Sequence, residues 1–180
     1  MDDVLREELA AFRVRSGRSA LRILEVGCAR SVSEDYLVGD GWSTLTLAGE
    51  VREHGGSLTG IDLDTGPAAE LLAGHQLDAV LLQGPSLDVL PGLVGEGRVF
   101  DVIFLDSGND ADLVLEEFFL AVRLSARPGL LMADDMDQHD PEVVKGLKLI
   151  PHLEAEKYRY RMTYRETPWT RRDILVMDME

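Results

Sequence analysis

The chain has 180 residues, 45% of them apolar, and its 33 acidic and 18 basic residues give a formal net charge of −15. That length suits one domain able to bury its own core, and the single cysteine, Cys28, excludes an internal disulfide framework or a Cys-rich zinc site. So acidic a chain repels phosphate backbones and anionic lipid heads, and no apolar run approaches the roughly 20 residues that span a bilayer. No nucleic acid and no membrane are expected as partners. The acidic opening Met1-Asp2-Asp3 is unlike a signal peptide, so a cytoplasmic location is the expectation. Only three of the basic residues are lysine. In chain order, residues 2–15 predict a helix outside a sheet. Short, nearly continuous apolar runs at 22–26, 57–61, 79–82, 102–105 and 130–133 predict buried strands. Helical spacing lies between them at 42–51, 68–73 and 86–94, the last broken by Pro91. The clearest helix is 111–124, with Leu113, Val114, Phe118, Ala121 and Val122 on one face and a stop at Arg127-Pro128-Gly129. Residues 141–149 predict another helix, with Pro141 near its start. The end of the chain differs: 157–164 alternates apolar and basic residues, and 173–177 is apolar, so these two form a hairpin. The fold class is α/β: one doubly wound domain over residues 1–180, with a seven-stranded, mostly parallel sheet and a C-terminal antiparallel hairpin.

Ligands of such sheets bind beyond the carboxyl ends of the strands, near the point where strand order reverses. The residues just after each strand therefore carry the information. They are Glu25-Val26-Gly27 after the first strand, Asp62-Leu63-Asp64 after the second, Ser86 soon after the third, Asp106 after the fourth and Asp134-Asp135 after the fifth. Gly27 lets the backbone turn tightly against a ligand, and Glu25 offers a carboxylate to an ammonium. Asp62 suits paired ribose hydroxyls, since one carboxylate presents two acceptor oxygens. Glycine and aspartate also serve as ordinary turn and cap residues. The dinucleotide fingerprint G-x-G-x-x-G is absent, because Gly27 is followed by Cys28, Ala29, Arg30 and Ser31. A ribosyl cofactor without a pyrophosphate, such as S-adenosylmethionine, fits better than NAD.

The ordered set Ile23-Leu24-Glu25-Val26-Gly27, Gly41-Trp42-Ser43-Thr44-Leu45, Gly60-Ile61-Asp62-Leu63-Asp64 and Phe100-Asp101-Val102-Ile103-Phe104-Leu105-Asp106 resembles the class I S-adenosylmethionine-dependent methyltransferases. Within them it is most similar to the small-molecule O-methyltransferases related to catechol O-methyltransferase. The resemblance covers residues 22–137 and the closing hairpin. It implies that Glu25 and Gly27 hold the methionine end of the cofactor and that Ser43 binds its carboxylate. It further implies that Asp62 takes the ribose, that Ser86 contacts the adenine edge and that Asp106 lies beside the sulfonium methyl. By the same resemblance Asp106, Asp134 and Asp135 match the positions that hold Mg²⁺. Three carboxylates at adjacent strand ends also repel one another unless a cation or protons intervene. A hard divalent ion there would bind a vicinal diol and acidify its hydroxyl. The partner implied is a small hydroxylated substrate, and relatives often form homodimers.

Two features depart from that pattern. Residues 28–40 form an enlarged loop, with Arg30, Glu34, Asp35 and Tyr36. The lysine general base expected three residues after the fourth-strand Asp is replaced by Asn109, which accepts no proton. His139 is the candidate catalytic base in its stead, since a histidine titrates near neutrality. Asp137 and Asp140 share its loop. Cys28 is taken as a small packed residue, the other histidines as surface or packing residues, and the basic stripe at 157–165 as a solvent face. The expected activity is S-adenosylmethionine-dependent O-methylation of a small molecule with Mg²⁺ assistance. The rivals are a metal-independent methyltransferase, a non-catalytic cofactor-binding domain of the same fold, and a nicotinamide oxidoreductase.

Overall fold

The computed structural model describes residues 2–32, 42–136, 142–166 and 171–180. Strands β1 (Leu21–Val26), β2 (Gly56–Asp62), β3 (Val80–Gln83), β4 (Phe100–Leu105), β5 (Ser125–Ala133), β6 (Arg161–Glu166) and β7 (Arg171–Met179) form one sheet in the order β3-β2-β1-β4-β5-β7-β6. The first five pair in parallel; β7 runs antiparallel to β5 and to β6. The helices are α1 (Asp2–Ser16), α2 (Trp42–His54), α3 (Gly66–Gly74), α4 (Ser86–Gly95), α5 (Ala111–Leu124) and α6 (Gly146–Ala155). This is the doubly wound α/β architecture, mostly parallel with a C-terminal antiparallel hairpin, that the sequence predicts.

Alternation along the central strands divides the core in two. Leu21 and Ile23 of β1, Val102 and Phe104 of β4 and Leu130 and Met132 of β5 meet Leu5, Leu9 and Phe12 of α1 and Leu47 of α2. Leu24 and Val26, Ile103 and Leu105, and Leu131 and Ala133 face the other way, onto Leu90 of α4, Phe118 of α5 and Leu149 of α6. Full burial of each such side chain contributes about 1.5–3 kcal/mol. At the amino end of the sheet Asp101 of β4 accepts hydrogen bonds from the guanidinium groups of Arg18 (2.7 Å) and Arg22 (2.9 Å). Burial pulls its carboxyl upward, but those bonds outweigh it and hold the group below the usual carboxylate range. Strand order reverses between β1 and β4, where the chain leaves β3 and returns to the centre.

Helix α5 has the predicted bounds. The Asp110 side chain accepts from the N–H groups of Asp112 (2.8 Å) and Leu113 (3.1 Å), satisfying donors that the first turn leaves free. Its buried face is Val114, Glu117, Phe118, Ala121 and Leu124, so the apolar stripe encloses an acid. The neighbouring Phe119 is 45% exposed.

Four local expectations need correction. Residues 127–129 are not a stop between elements. They lie inside β5, with a cis Arg127-Pro128 bond and a register shift against β4, because the chain turns into the sheet straight from Leu124. Pro91 does not break α4, which runs to Gly95. The helix placed at 141–149 instead spans Gly146–Ala155 with Pro151 inside, and Pro141 lies outside the described residues. The strand placed at 157–164 starts at Arg161, since Lys157 adopts a left-handed φ of 59° that ends α6. That basic stripe is not all solvent face, because Arg161 pairs with Glu8 of α1.

Candidate functional site

Beyond the carboxyl ends of β1, β2 and β4 lies a cavity of about 320 Å³, the lower end of the size at which small ligands bind. Gly27, Asp62, Ser86 and Asp106 all line it, with Leu63, Leu87 and Leu113 as apolar walls. The ladder continues past the strands to shape it. The N–H of Gly27 donates to the Ile61 carbonyl at 2.9 Å, and that of Asp106 to the Val26 carbonyl at 2.7 Å. Gly27 has φ +88°, and a Cβ there would lie 2.0 Å from the Asp106 carbonyl oxygen. Only glycine allows this turn and this approach. Asp62 is fixed by two backbone donors: the Cys28 N–H reaches Oδ2 at 2.8 Å and the Asp64 N–H reaches Oδ1 at 3.1 Å. Each oxygen keeps a lone pair for a ligand.

Glu25 and Ser43 stand apart from the other candidates. Neither lines the cavity, and both are buried. Glu25 lies beneath the Gly27 turn, where the Thr44 hydroxyl donates to its Oε2 at 2.8 Å and in turn accepts from the Ala29 N–H at 2.9 Å. The Ser43 hydroxyl also bonds Glu25. Burial dominates these bonds and pushes the Glu25 carboxyl up to about 8. The pair therefore ties the first turn of α2 to the loop after β1. Cys28 is a packed residue, as expected; burial first, then the neighbouring acids Glu25 and Asp62, push its thiol far up.

Two residues that the sequence reading missed bear on the site. Glu117 of α5 is fully buried and accepts from the hydroxyls of Ser86 (2.5 Å) and Ser107 (2.6 Å), joining two walls of the cavity. Burial raises its carboxyl, and Ser107, Ser86 and Lys145 pull against that rise. Lys145, immediately before α6, is buried and places its ammonium 3.0 Å from Asp106 and 3.7 Å from Asp135. Burial alone would lower its pKa, but the carboxylates of Asp106, Asp135 and Asp134 outweigh it and raise the group. Asp106, Asp134 and Asp135 offer oxygens within 4.8 Å of one another, so the expected cluster forms. Asp135 sits in left-handed backbone, φ 58°, a conformation that aspartate tolerates better than most residues. The signal for Lys145 was its rarity: it is one of three lysines and lies ten positions after Asp135. The expected base His139, together with Asp137, Asp140 and the greater part of the 28–40 loop, lies outside the described residues.

Comparison with curated proteins found no match. Among solved structures, a protein of Klebsiella pneumoniae described as an O-methyltransferase is 23% identical at a TM-score of 0.69, over 92% of this chain and 76% of its own. The O-methyltransferase of Bacillus cereus, solved in complex with SAH, is 19% identical at 0.67, over 93% of this chain and 78% of its own. The N-methyltransferase NodS of Bradyrhizobium japonicum is 14% identical at 0.63, over 98% and 96%. At such identities the likeness is one of fold. The methyltransferase-domain family matches residues 38–136, more than half of the chain. On that match, and with this sheet order, the chain belongs to the methyltransferase-domain family, in its Rossmann-like class I form.

Proposed function

We propose that this methyltransferase binds S-adenosylmethionine in the crevice at the end of β1, β2 and β4 and methylates a hydroxyl of a small molecule. The observation that carries the reading is the convergence of Gly27, Asp62 and Asp106 on one cavity at the switch point. When bound, S-adenosylmethionine supplies an electrophilic methyl group on a sulfonium. Asp62, held by two backbone donors, would accept from the two ribose hydroxyls. The Ser86 hydroxyl already donates to Glu117, so it would present a lone pair to a donor on the adenine edge. Leu63, Leu87 and Leu113 would cover the flat base. Asp106 would face the cationic end; with Lys145 counted, the Asp106–Asp134–Asp135 cluster and Asp62 still leave an excess of carboxylates there, which favours a sulfonium over a pyrophosphate. Glu25 and Ser43, assigned by resemblance to the methionine end, would act by fixing the Gly27 loop and the start of α2. The oxygen acceptor is supported by the resemblance and by the two solved neighbours described as O-methyltransferases.

A divalent cation on Asp106, Asp134 and Asp135 does not fit the side chains as they stand, because the Lys145 ammonium already stands against two of them, Asp106 and Asp135. The function is tested by titration calorimetry with S-adenosylhomocysteine, followed by mass spectrometry of small phenols, catechols and polyols incubated with S-adenosylmethionine. Saturable binding and a methylated oxygen are expected. Absence of binding overturns the reading; binding without transfer to any acceptor leaves a cofactor-binding domain.

A further inference from the structure

We infer that the Lys145 ammonium is the resident cation of the Asp106–Asp134–Asp135 cluster, and that the cluster takes up no divalent metal. The inference concerns the acid cluster beside the crevice read above as the methyl-transfer site, and it rests on that reading for its bearing on catalysis.

Three arrangements converge on Lys145. Its side chain is 4% exposed and its nitrogen stands 3.0 Å from Asp106 Oδ1 and 3.7 Å from Asp135 Oδ2, so it reaches two of the three acids. An ion bound to Asp106 Oδ1 at about 2.1 Å would lie within about 5 Å of that nitrogen. The same oxygens cannot serve both charges without strong repulsion between them.

The backbone holds this arrangement in place. Asn109, which stands where the resemblance calls for a lysine, is not idle. Its amide nitrogen donates to the Glu142 carbonyl at 2.7 Å and its amide oxygen accepts from the Val144 N–H at 2.9 Å. It thereby clamps the segment that delivers Lys145 from the far side of the cluster. Gly146 completes the fit: a Cβ there would lie 2.9 Å from the Met136 carbonyl oxygen, so the turn carrying Lys145 packs directly on the residue after Asp135. A lysine supplied after β5 and seated by an asparagine after β4 thus neutralises charge that a metal would otherwise neutralise. Lys145 is a positioning residue here: it acts by holding Asp106 and Asp135.

The test is metal binding by this 180-residue chain, read by calorimetry with Mg²⁺ and by electron paramagnetic resonance with Mn²⁺. The wild type is expected to show no saturable binding up to about 1 mM, the weak end of oxygen-ligand sites. Lys145→Met and Lys145→Gln, checked for fold by circular dichroism, are expected to gain Mn²⁺ affinity by about 15-fold or more, the effect of removing one charge about 5 Å from a divalent ion even in water. Lys145→Arg, which keeps the charge, is expected to stay metal-free. Saturable binding by the wild type overturns the inference without need of any variant. Failure of folded Lys145→Met or Lys145→Gln to gain affinity also overturns it, since the cluster would then be no cation site. Titration with S-adenosylhomocysteine in EDTA runs separately, so loss of the cofactor reading and loss of this one are told apart.

Discussion

At the scale of single residues, the site depends on acids placed where water is scarce. Glu25 is enclosed and held up to about 8 chiefly by burial, against an ordinary value near 4.5. Between those two values the folded chain keeps a proton that the unfolded chain has released. Raising the pH across that window therefore favours unfolding: the contribution is whole below about 4.5 and is lost as the pH rises through about 8. Glu25→Gln has no proton to lose. Urea unfolding of both proteins from pH 5 to pH 9 should show wild-type stability falling toward the variant's, with a difference in slope that sums to several kcal/mol. Parallel curves would mean that Glu25 is solvated. Asp62 invites a sharper substitution. Asp62→Ala removes two acceptors for the ribose and should weaken S-adenosylhomocysteine binding by about 10- to 100-fold in calorimetry. Unchanged affinity would remove Asp62 from the cofactor site. Glu117→Gln keeps the shape of the bridge between Ser86 and Ser107 while changing one acceptor to a donor. It should cost about 3- to 10-fold in cofactor affinity, and no change would make the bridge merely structural.

At the scale of elements, α5 shows what local sequence decides. Its bounds were legible in the apolar period of Leu113, Val114, Phe118, Ala121 and Val122, and in the structure the Asp110 cap fixes the start that this period implied. Asp110→Ala should lower stability by about 1 kcal/mol, read by urea unfolding, and leave S-adenosylhomocysteine affinity unchanged. A larger loss of affinity than of stability would show that the cap also positions Ser107 and Asn109. Elsewhere local signals misled, for identifiable reasons. The Arg127-Pro128-Gly129 triplet looks like punctuation, yet β5 pairs with β4 on either side of it, at Ser125 and Leu130, and with β7 from Gly129 onward, so the triplet becomes an irregular part of a strand. Pro151 and Pro91 sit within helices whose buried leucines, Leu149 and Leu153, Leu90 and Leu93, hold the turns together. The basic alternation at 157–164 has a strand's period, but its first residues leave α6 through the left-handed turn at Lys157, and pairing with β7 begins at Arg161 although β7 runs on past the partner of Arg161 to Met179. Period alone cannot say where the preceding helix lets go.

At the scale of the whole molecule, the crevice was legible because topology brings strand ends together whatever their sequence distance. Gly27, Asp62, Ser86 and Asp106 could be gathered from the order of apolar runs. Lys145 could not, because its place depends on the path between β5 and α6 and on a clamp from Asn109 that no spacing rule encodes. Glu117 was hidden for the opposite reason: it lies on a face whose period marks it as core. The global charge leads to a last prediction. A net −15 on one domain is self-repelling, and folding draws those charges closer. Exposed ion pairs such as Arg15–Asp178 and Lys148–Asp112 oppose that repulsion, but each contributes about 0–1 kcal/mol. Added salt screens both effects. Repulsion among an excess of 15 acids extends over the whole surface, and cutting the Debye length from about 30 Å at 0.01 M to about 8 Å at 0.15 M removes its long-range part first. Ion pairs in contact are screened less. The melting temperature should therefore rise by a few degrees between 10 and 150 mM NaCl, about what 1 kcal/mol gives a domain of this size. Sodium chloride is the salt to use, because sulfate would strengthen apolar burial and mimic the effect. A melting temperature that falls over that range would show that paired charges, not the excess, govern the electrostatics of this fold.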